Sequence, residues 1–243
     1  MIIKQMRYLV LGILCFVFST AGKASAEDIL LVTHEFRPYS WVDKVGIYKG
    51  ASVEIADLLF KKAEISKKWR IMPLKRAYGY VKKTPNTCLF PLQRNQEREA
   101  DFQWVSPIMI NRFAFYSSVA NDISIRTLED LNNFKVASYL GSGLKEYLDG
   151  FGIKTIEAIK DEVAANMVSL GRADVWATDV FSEPYTSELI NKKFNKKFVF
   201  FTSIGAMACH QSLSKETINR LQTELSALYR NLEIAKIVRR YER

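Results

Sequence analysis

The chain has 243 residues, with 35 Lys and Arg against 26 Asp and Glu and a formal charge of +9. The lysines are scattered (Lys61, Lys62, Lys67, Lys68, Lys192, Lys193, Lys196, Lys197), and there is no zinc-ligand spacing, aromatic RNA-binding strand or basic recognition helix. That excludes nucleic acid as a partner, and the length suits one large domain or two small ones with cores of their own.

Residues 1–26 read as a cleavable signal peptide. Lys4 and Arg7 form a basic start, Tyr8 to Ala21 is an apolar run too short to span a bilayer comfortably, and Ala24-Ser25-Ala26 is a small-residue cleavage site. Cys15 follows Leu14 where a lipidation site needs a small residue, so it belongs to the apolar run. The mature chain is expected to begin at Glu27 and to be periplasmic, and no second apolar run of membrane length follows. Two cysteines remain, Cys88 and Cys209, in a compartment that permits disulfides. Both sit in apolar runs, and a bridge and two buried thiols are equally open from the sequence.

Elements then alternate. Ile29 to Thr33 is a predicted strand, followed by the aromatic loop Phe36-Arg37-Pro38-Tyr39-Ser40-Trp41. Residues 51–64 carry apolar side chains at helical spacing, opened by Ser52. Trp69 to Met72 is a strand, and Leu74 to Lys82 a helix bearing Arg76, Tyr78 and Tyr80. Cys88-Leu89-Phe90 is a third strand that runs into the polar stretch Gln93 to Glu99, which places arginines at a strand end, where α/β sheets bind ligands. Arg94 and Arg98, four apart, would share a helix face. Each alone reads as a solvated arginine paired with Glu97 or Glu99. Arg98, however, is followed by Phe102, Trp104 and Val105, which alternate like a strand towards Pro107. An arginine caught between two buried strands needs an anion, and its fork fits a carboxylate. Phe113 to Ser118 leads away from this layer, which is a sheet covered by helices.

A second unit follows. Thr127 to Leu131 is a short capped helix and Lys135 to Tyr139 a strand, after which Gly141-Ser142-Gly143 turns into the helix Leu144 to Phe151, where backbone N–H groups could meet an anion. Lys154 to Ala158 is a strand, Glu162 to Leu170 a helix stopped by Gly171, Val175 to Thr178 a strand ending at Asp179, and Glu183 to Asn191 a helix. Val199 to Thr202 and Gly205 to His210 are strands, and Lys215 to Arg240 is one or two helices.

The order of landmarks Phe36-Arg37-Pro38-Tyr39, Arg94 to Arg98 before Phe102 to Pro107, Thr127 to Leu131, Tyr139 to Ser142 and Leu170 to Asp179 resembles family 3 of the periplasmic solute-binding proteins, the amino-acid ABC transporter type. The likeness covers nearly the whole mature chain. It implies an α/β, two-lobed periplasmic-binding-protein fold of type II, with two crossover strands as hinge. Lobe 1 would be residues 27–118 plus 207–243 and lobe 2 residues 119–206. The resemblance places the carboxylate-binding arginine on Arg98, the amine-binding acid on Asp179, the stacking aromatic on Phe36 or Tyr39, and backbone donors on Gly141 and Ser142. Asn95 and Arg76 complete the expected ligand set. The chain departs from the family at Asn95, where Thr or Ser is usual, at Arg37, and at Thr84-Pro85-Asn86, which stands in place of Gly-x-x-Asp. The implied function is that of a monomer without cofactor or metal, which clamps a small zwitterion or carboxylate for a membrane permease or a sensor.

Charge chemistry agrees with this, because a zwitterion removed from water needs both a cation and an anion. Arg98 and Asp179 would be that pair, one from each lobe, and both would face water in the empty, open molecule. For Tyr39 and Trp41 core packing is the plain alternative, for Arg76 solvation, and for Asp179 a strand-end cap. An enzyme on the same scaffold, resembling cyclohexadienyl dehydratase, would need a general acid, and His34-Glu35 at a strand end is the segment that could supply it.

Overall fold

The computed structural model describes residues 28–243, so the expected signal peptide, Cys15 and the expected cleavage site lie outside the described residues. Among the described residues no helix is long and apolar enough to cross a membrane. An eight-stranded sheet organises the chain. Its strands are β1 (Ile29–Thr33), β4 (Lys67–Ile71), β5 (Thr87–Arg94), β6 (Gln103–Ser118), β7 (Val136–Tyr139), β8 (Thr155–Ala158), β9 (Val175–Asp179) and β10 (Phe194–Cys209), while β2 (Trp41–Val42) and β3 (Tyr48–Lys49) form a separate hairpin. The order across the sheet is β4-β1-β5-β10-β6-β9-β7-β8. β1, β4 and β5 are parallel, as are β7, β8 and β9, and the central pair β6 and β10 runs antiparallel to each other and to its neighbours.

The two central strands are the main departure from the predicted elements. β10 was expected as two short strands, and β6 as a short strand towards Pro107 with Phe113 to Ser118 leading away, yet each is one strand of 16 residues spanning both halves of the sheet. Pro107 does not end β6 because the register shifts there: Val105 faces Met207 and Met109 faces Gly205, so the residue that cannot donate a ladder bond sits in an irregularity.

Helices cover both halves. In the first, α1 (Ala51–Lys62) buries Val53, Ile55, Ala56, Leu59 and Phe60. It starts from Gly50 rather than Ser52, whose side chain is buried in the first turn. α2 (Leu74–Lys83) begins directly after Pro73 and stops where Pro85 drives Thr84 into an extended conformation. In the second half lie α3 (Leu144–Asp149), α4 (Asp161–Ser169) and α5 (Glu183–Ile190). The C-terminal helical region is two helices, α6 (Lys215–Arg230) and α7 (Glu233–Arg239), separated at Leu232 with φ of 58°. α6 packs on β6 and α1, in the first half's core with Phe60, Phe90, Val105 and Leu225. Phe115, Leu131, Val136 and Leu148 lie in a separate core cluster in the second half.

Cys88 and Cys209 stand opposite each other on β5 and β10 and are joined as a disulfide, both fully buried.

Candidate functional site

The aromatic loop after β1 is held by paired backbone bonds between Phe36 and Ser40 (2.8 and 2.9 Å) and by Ser40 Oγ donating to the His34 carbonyl at 2.6 Å. Phe36 stacks on Tyr39 with centroids 5.1 Å apart and planes 11° from parallel. Gly50 lies beneath the loop at φ 126°, and a Cβ there would fall 2.2 Å from the Tyr39 carbonyl oxygen, a backbone atom that cannot swing away. Gly50→Ala is therefore expected to cost about 3 kcal/mol and to lower Tm by roughly 6 to 12 °C. A thermal melt within 2 °C of the parent would show that the loop has another way to pack.

Tyr39 is buried, and its hydroxyl donates to Asp179 Oδ1 at 2.7 Å. Asp179, at the end of β9, also accepts from the backbone N–H groups of Phe181 (2.9 Å) and Ser182 (3.2 Å) at Oδ1 and from Asn111 Nδ2 (3.3 Å) at Oδ2. Burial raises its pKa to about 6, against the opposing pull of these donors. Ser182 Oγ donates to the Arg37 carbonyl at 2.7 Å, so this corner ties the two halves of the sheet together. Asn111 carried no sequence signal, because a single Asn within a strand has no pattern to mark it.

Arg98 sits in a short 3₁₀ helix, Gln96–Asp101, that Asn95 caps by accepting from Arg98 N at 3.1 Å. Only 6% of Arg98 is exposed. It donates to the carbonyls of Gln93 and Gly141, both at 3.2 Å, and lies 5.5 Å from the Tyr78 ring. Among the described residues it has no carboxylate in ion-pair contact. Arg94 does not share its face. As the last residue of β5 it pairs with Glu99 (2.9 and 2.5 Å) and stacks on Trp104, the ordinary surface role. Arg76 is exposed on the outer face of α2 and joins no part of this cluster, because the helix turns Leu74, Ala77 and Val81 inward instead.

The expectation that Arg98 and Asp179 face water is not met. Asp179 is 1% exposed, and the two residues do not line one cavity. Arg98 borders a hollow of about 520 Å³, and Asp179 borders another of about 270 Å³ on the far side of Tyr39. Between them a central cavity of only about 50 Å³ is lined by Phe36, Tyr39, Asn111, Gly141 and Ser142. The physical cause is closure. The two halves meet through Tyr39 to Asp179, Ser182 to Arg37 and Arg98 to Gly141. Gly143, at φ 88°, lies so close that a Cβ would come 2.5 Å from Gln93 Oε1, a buried acceptor with no partner of its own. The Gly-Ser-Gly turn is likewise used internally, Ser142 N donating to Tyr139 O at 3.1 Å and Leu144 N to Ser142 Oγ at 3.3 Å.

Neither a family model nor a curated relative matches the chain by sequence. Solved structures do. A histidine kinase sensor domain with similarity to periplasmic binding proteins superposes with a TM-score of 0.82 at 17% identity, over 88% of this chain and 96% of that one. An ancestral arginine-binding protein bound to arginine gives 0.78 at 19%, over 88% and 97%. An ancestral amino acid-binding protein, a precursor of cyclohexadienyl dehydratase, gives 0.77 at 20%, over 89% and 96%. This chain has the two-lobed periplasmic-binding-protein fold. β6 and β10 join the two halves of the sheet, and the residues just described lie where those halves meet.

Two further buried titratable groups lie beside this site and in the second half of the sheet. His34 is 3% exposed, with Nε2 3.1 Å from the Pro91 carbonyl and Nδ1 3.4 Å from the Tyr139 hydroxyl. Burial lowers its pKa to about 4, so it is neutral at pH 7 and both ring nitrogens are committed. Asp161, at the start of α4, accepts from Trp176 Nε1 (3.0 Å) and from the hydroxyls of Thr178 (2.8 Å) and Thr186 (3.3 Å), while burial pushes its pKa up to about 7. Sequence reasoning missed Asp161, because an acid in a first helical turn is commonplace.

Proposed function

We propose that this is an exported solute-binding protein that clamps a small zwitterion or carboxylate, most simply an amino acid, between lobes formed by residues 27–118 plus 207–243 and by residues 119–206. The observation that carries this reading is Arg98, a buried guanidinium that bonds to one carbonyl from each half of the sheet and borders a 520 Å³ hollow between them. A buried cation without an anion is costly, and a ligand carboxylate would complete it. The chain would take its ligand on closure, and differential affinity for the closed state would shift the hinge equilibrium. The partner is a membrane permease of the ABC type or, as the sensor-domain neighbour suggests, a membrane sensor. Binding is preferred to dehydratase chemistry because, in the His34-Glu35 segment expected to supply the acid, His34 is neutral and already bonded on both sides and Glu35 pairs with Arg37 at 3.7 Å.

A thermal-shift screen of amino acids and small carboxylates, followed by calorimetric titration, tests this reading. The ligand found should bind Arg98→Ala at least tenfold more weakly, the loss expected when a buried carboxylate loses its charged partner. Unchanged affinity in that variant would remove Arg98 from the site.

A further inference from the structure

The charges around the 520 Å³ cavity are arranged by lobe. The first lobe contributes Arg98 and Glu97 from the 3₁₀ helix and Lys75 from α2; the second contributes Lys145 and Glu146 from α3 and Glu157 from β8. Lys145 is taken by Asp149 in the same helix. Tyr78, also in the wall, gives a hydrogen bond to Asp101, and burial holds its pKa up at about 12, so it adds no charge. Three carboxylates, Glu97, Glu146 and Glu157, then remain without an ion-pair partner among the described residues, against two cations, Arg98 and Lys75. Arg98 is the buried member and spends two of its five N–H donors on carbonyls, leaving the rest of the fork for a ligand. Asp179 does not line this cavity, and its oxygens already accept four hydrogen bonds.

We propose that this cavity is the ligand site and that it takes a dibasic amino acid, with the carboxylate on Arg98 and Lys75 and the two cationic groups on Glu97, Glu146 and Glu157. The inference rests on the reading of the protein as a solute clamp and moves the cationic end of the ligand from Asp179 to the glutamates. One negative charge left over in the wall matches a ligand of net charge +1, whereas a neutral amino acid leaves a carboxylate unmatched and an acidic one adds repulsion. The volume lies within the range of cavities that enclose small ligands.

The test is titration of the full chain as secreted, and of Glu146→Gln/Glu157→Gln, with L-arginine, L-lysine, L-glutamine and L-glutamate, alongside thermal shifts. Arginine and lysine are expected to bind and raise Tm, and glutamate to do neither. The double variant should lose at least tenfold in arginine affinity with its unliganded melt unchanged, since both side chains are at the surface of the hollow. Glutamine or glutamate binding as tightly as arginine in an Arg98-dependent way would overturn the dibasic assignment and leave the solute clamp standing, and so would arginine affinity unmoved in the double variant. Failure of all four amino acids and of the small carboxylates on folded protein would overturn both.

Discussion

Asp179→Ala is expected to lower the Tm of the unliganded protein by about 10 °C. The substitution leaves the Tyr39 hydroxyl, the Asn111 amide and the N–H groups of Phe181 and Ser182 without their acceptor in a buried site. At about 1 kcal/mol for each hydrogen bond the loss is roughly 4 kcal/mol, and a chain of this size loses roughly 2 to 4 °C per kcal/mol. Asp179→Asn should cost less, because Oδ1 and its three donors survive and only the contact with Asn111 becomes donor against donor. The pH dependence changes too. Burial raises the Asp179 pKa from 3.8 to about 6, so the fold binds this proton more tightly than the unfolded chain does. Its contribution to stability is therefore full below about pH 4 and is lost as pH rises to about 6. Melts of the Ala variant across that range should decline less steeply than those of the parent. A variant that melts within 2 °C of the parent would mean that the lobes are not held together at this corner.

Loss of the Cys88–Cys209 bridge should be larger still. The disulfide closes a loop of 121 residues, and the chain-entropy relation gives about 5 kcal/mol for a loop of that length, or roughly 10 to 20 °C in Tm. The bond ties β5 to β10, so the unfolded chain is constrained across the whole second half of the sheet. Calorimetry of the oxidised protein, of the protein under reductant and of Cys88→Ala/Cys209→Ala measures this. Equal melts in all three would sink the expectation.

Several features were legible in the chain because their cause is local. The apolar spacing of residues 51–64 is a property of one helix face, and α1 follows it to within two residues. Pro73 and Pro85 bracket α2 through backbone sterics alone. The apolar run at Cys88 and its polar exit gave β5 and the burial of Arg98. Where the cause is distant, the reading failed. Pro107 looked like a strand end, and only the partner strand β10 shows the register shift that absorbs it. Arg94 and Arg98 looked like one helix face, and only the continuation of β5 through Arg94 separates them.

The sequence by itself determined the alternation of elements, the sheet with its helical cover, and the presence of an arginine with few routes to bulk water, since these follow from periodicity, proline sterics and the cost of burying charge. Only the tertiary structure decided which groups meet. Asp179 is sated by Tyr39, Asn111 and two backbone N–H groups, Cys88 is bonded to Cys209, and the acids near Arg98 are Glu97, Glu146 and Glu157. Tyr39 meets Asp179, and Arg98 shares a cavity with Glu146 and Glu157, only because β6 and β10 carry the two halves of the sheet against each other, whereas Cys88 meets Cys209 through the register of β5 on β10. Contacts between residues 43 to 140 positions apart in the chain leave no periodic trace in it.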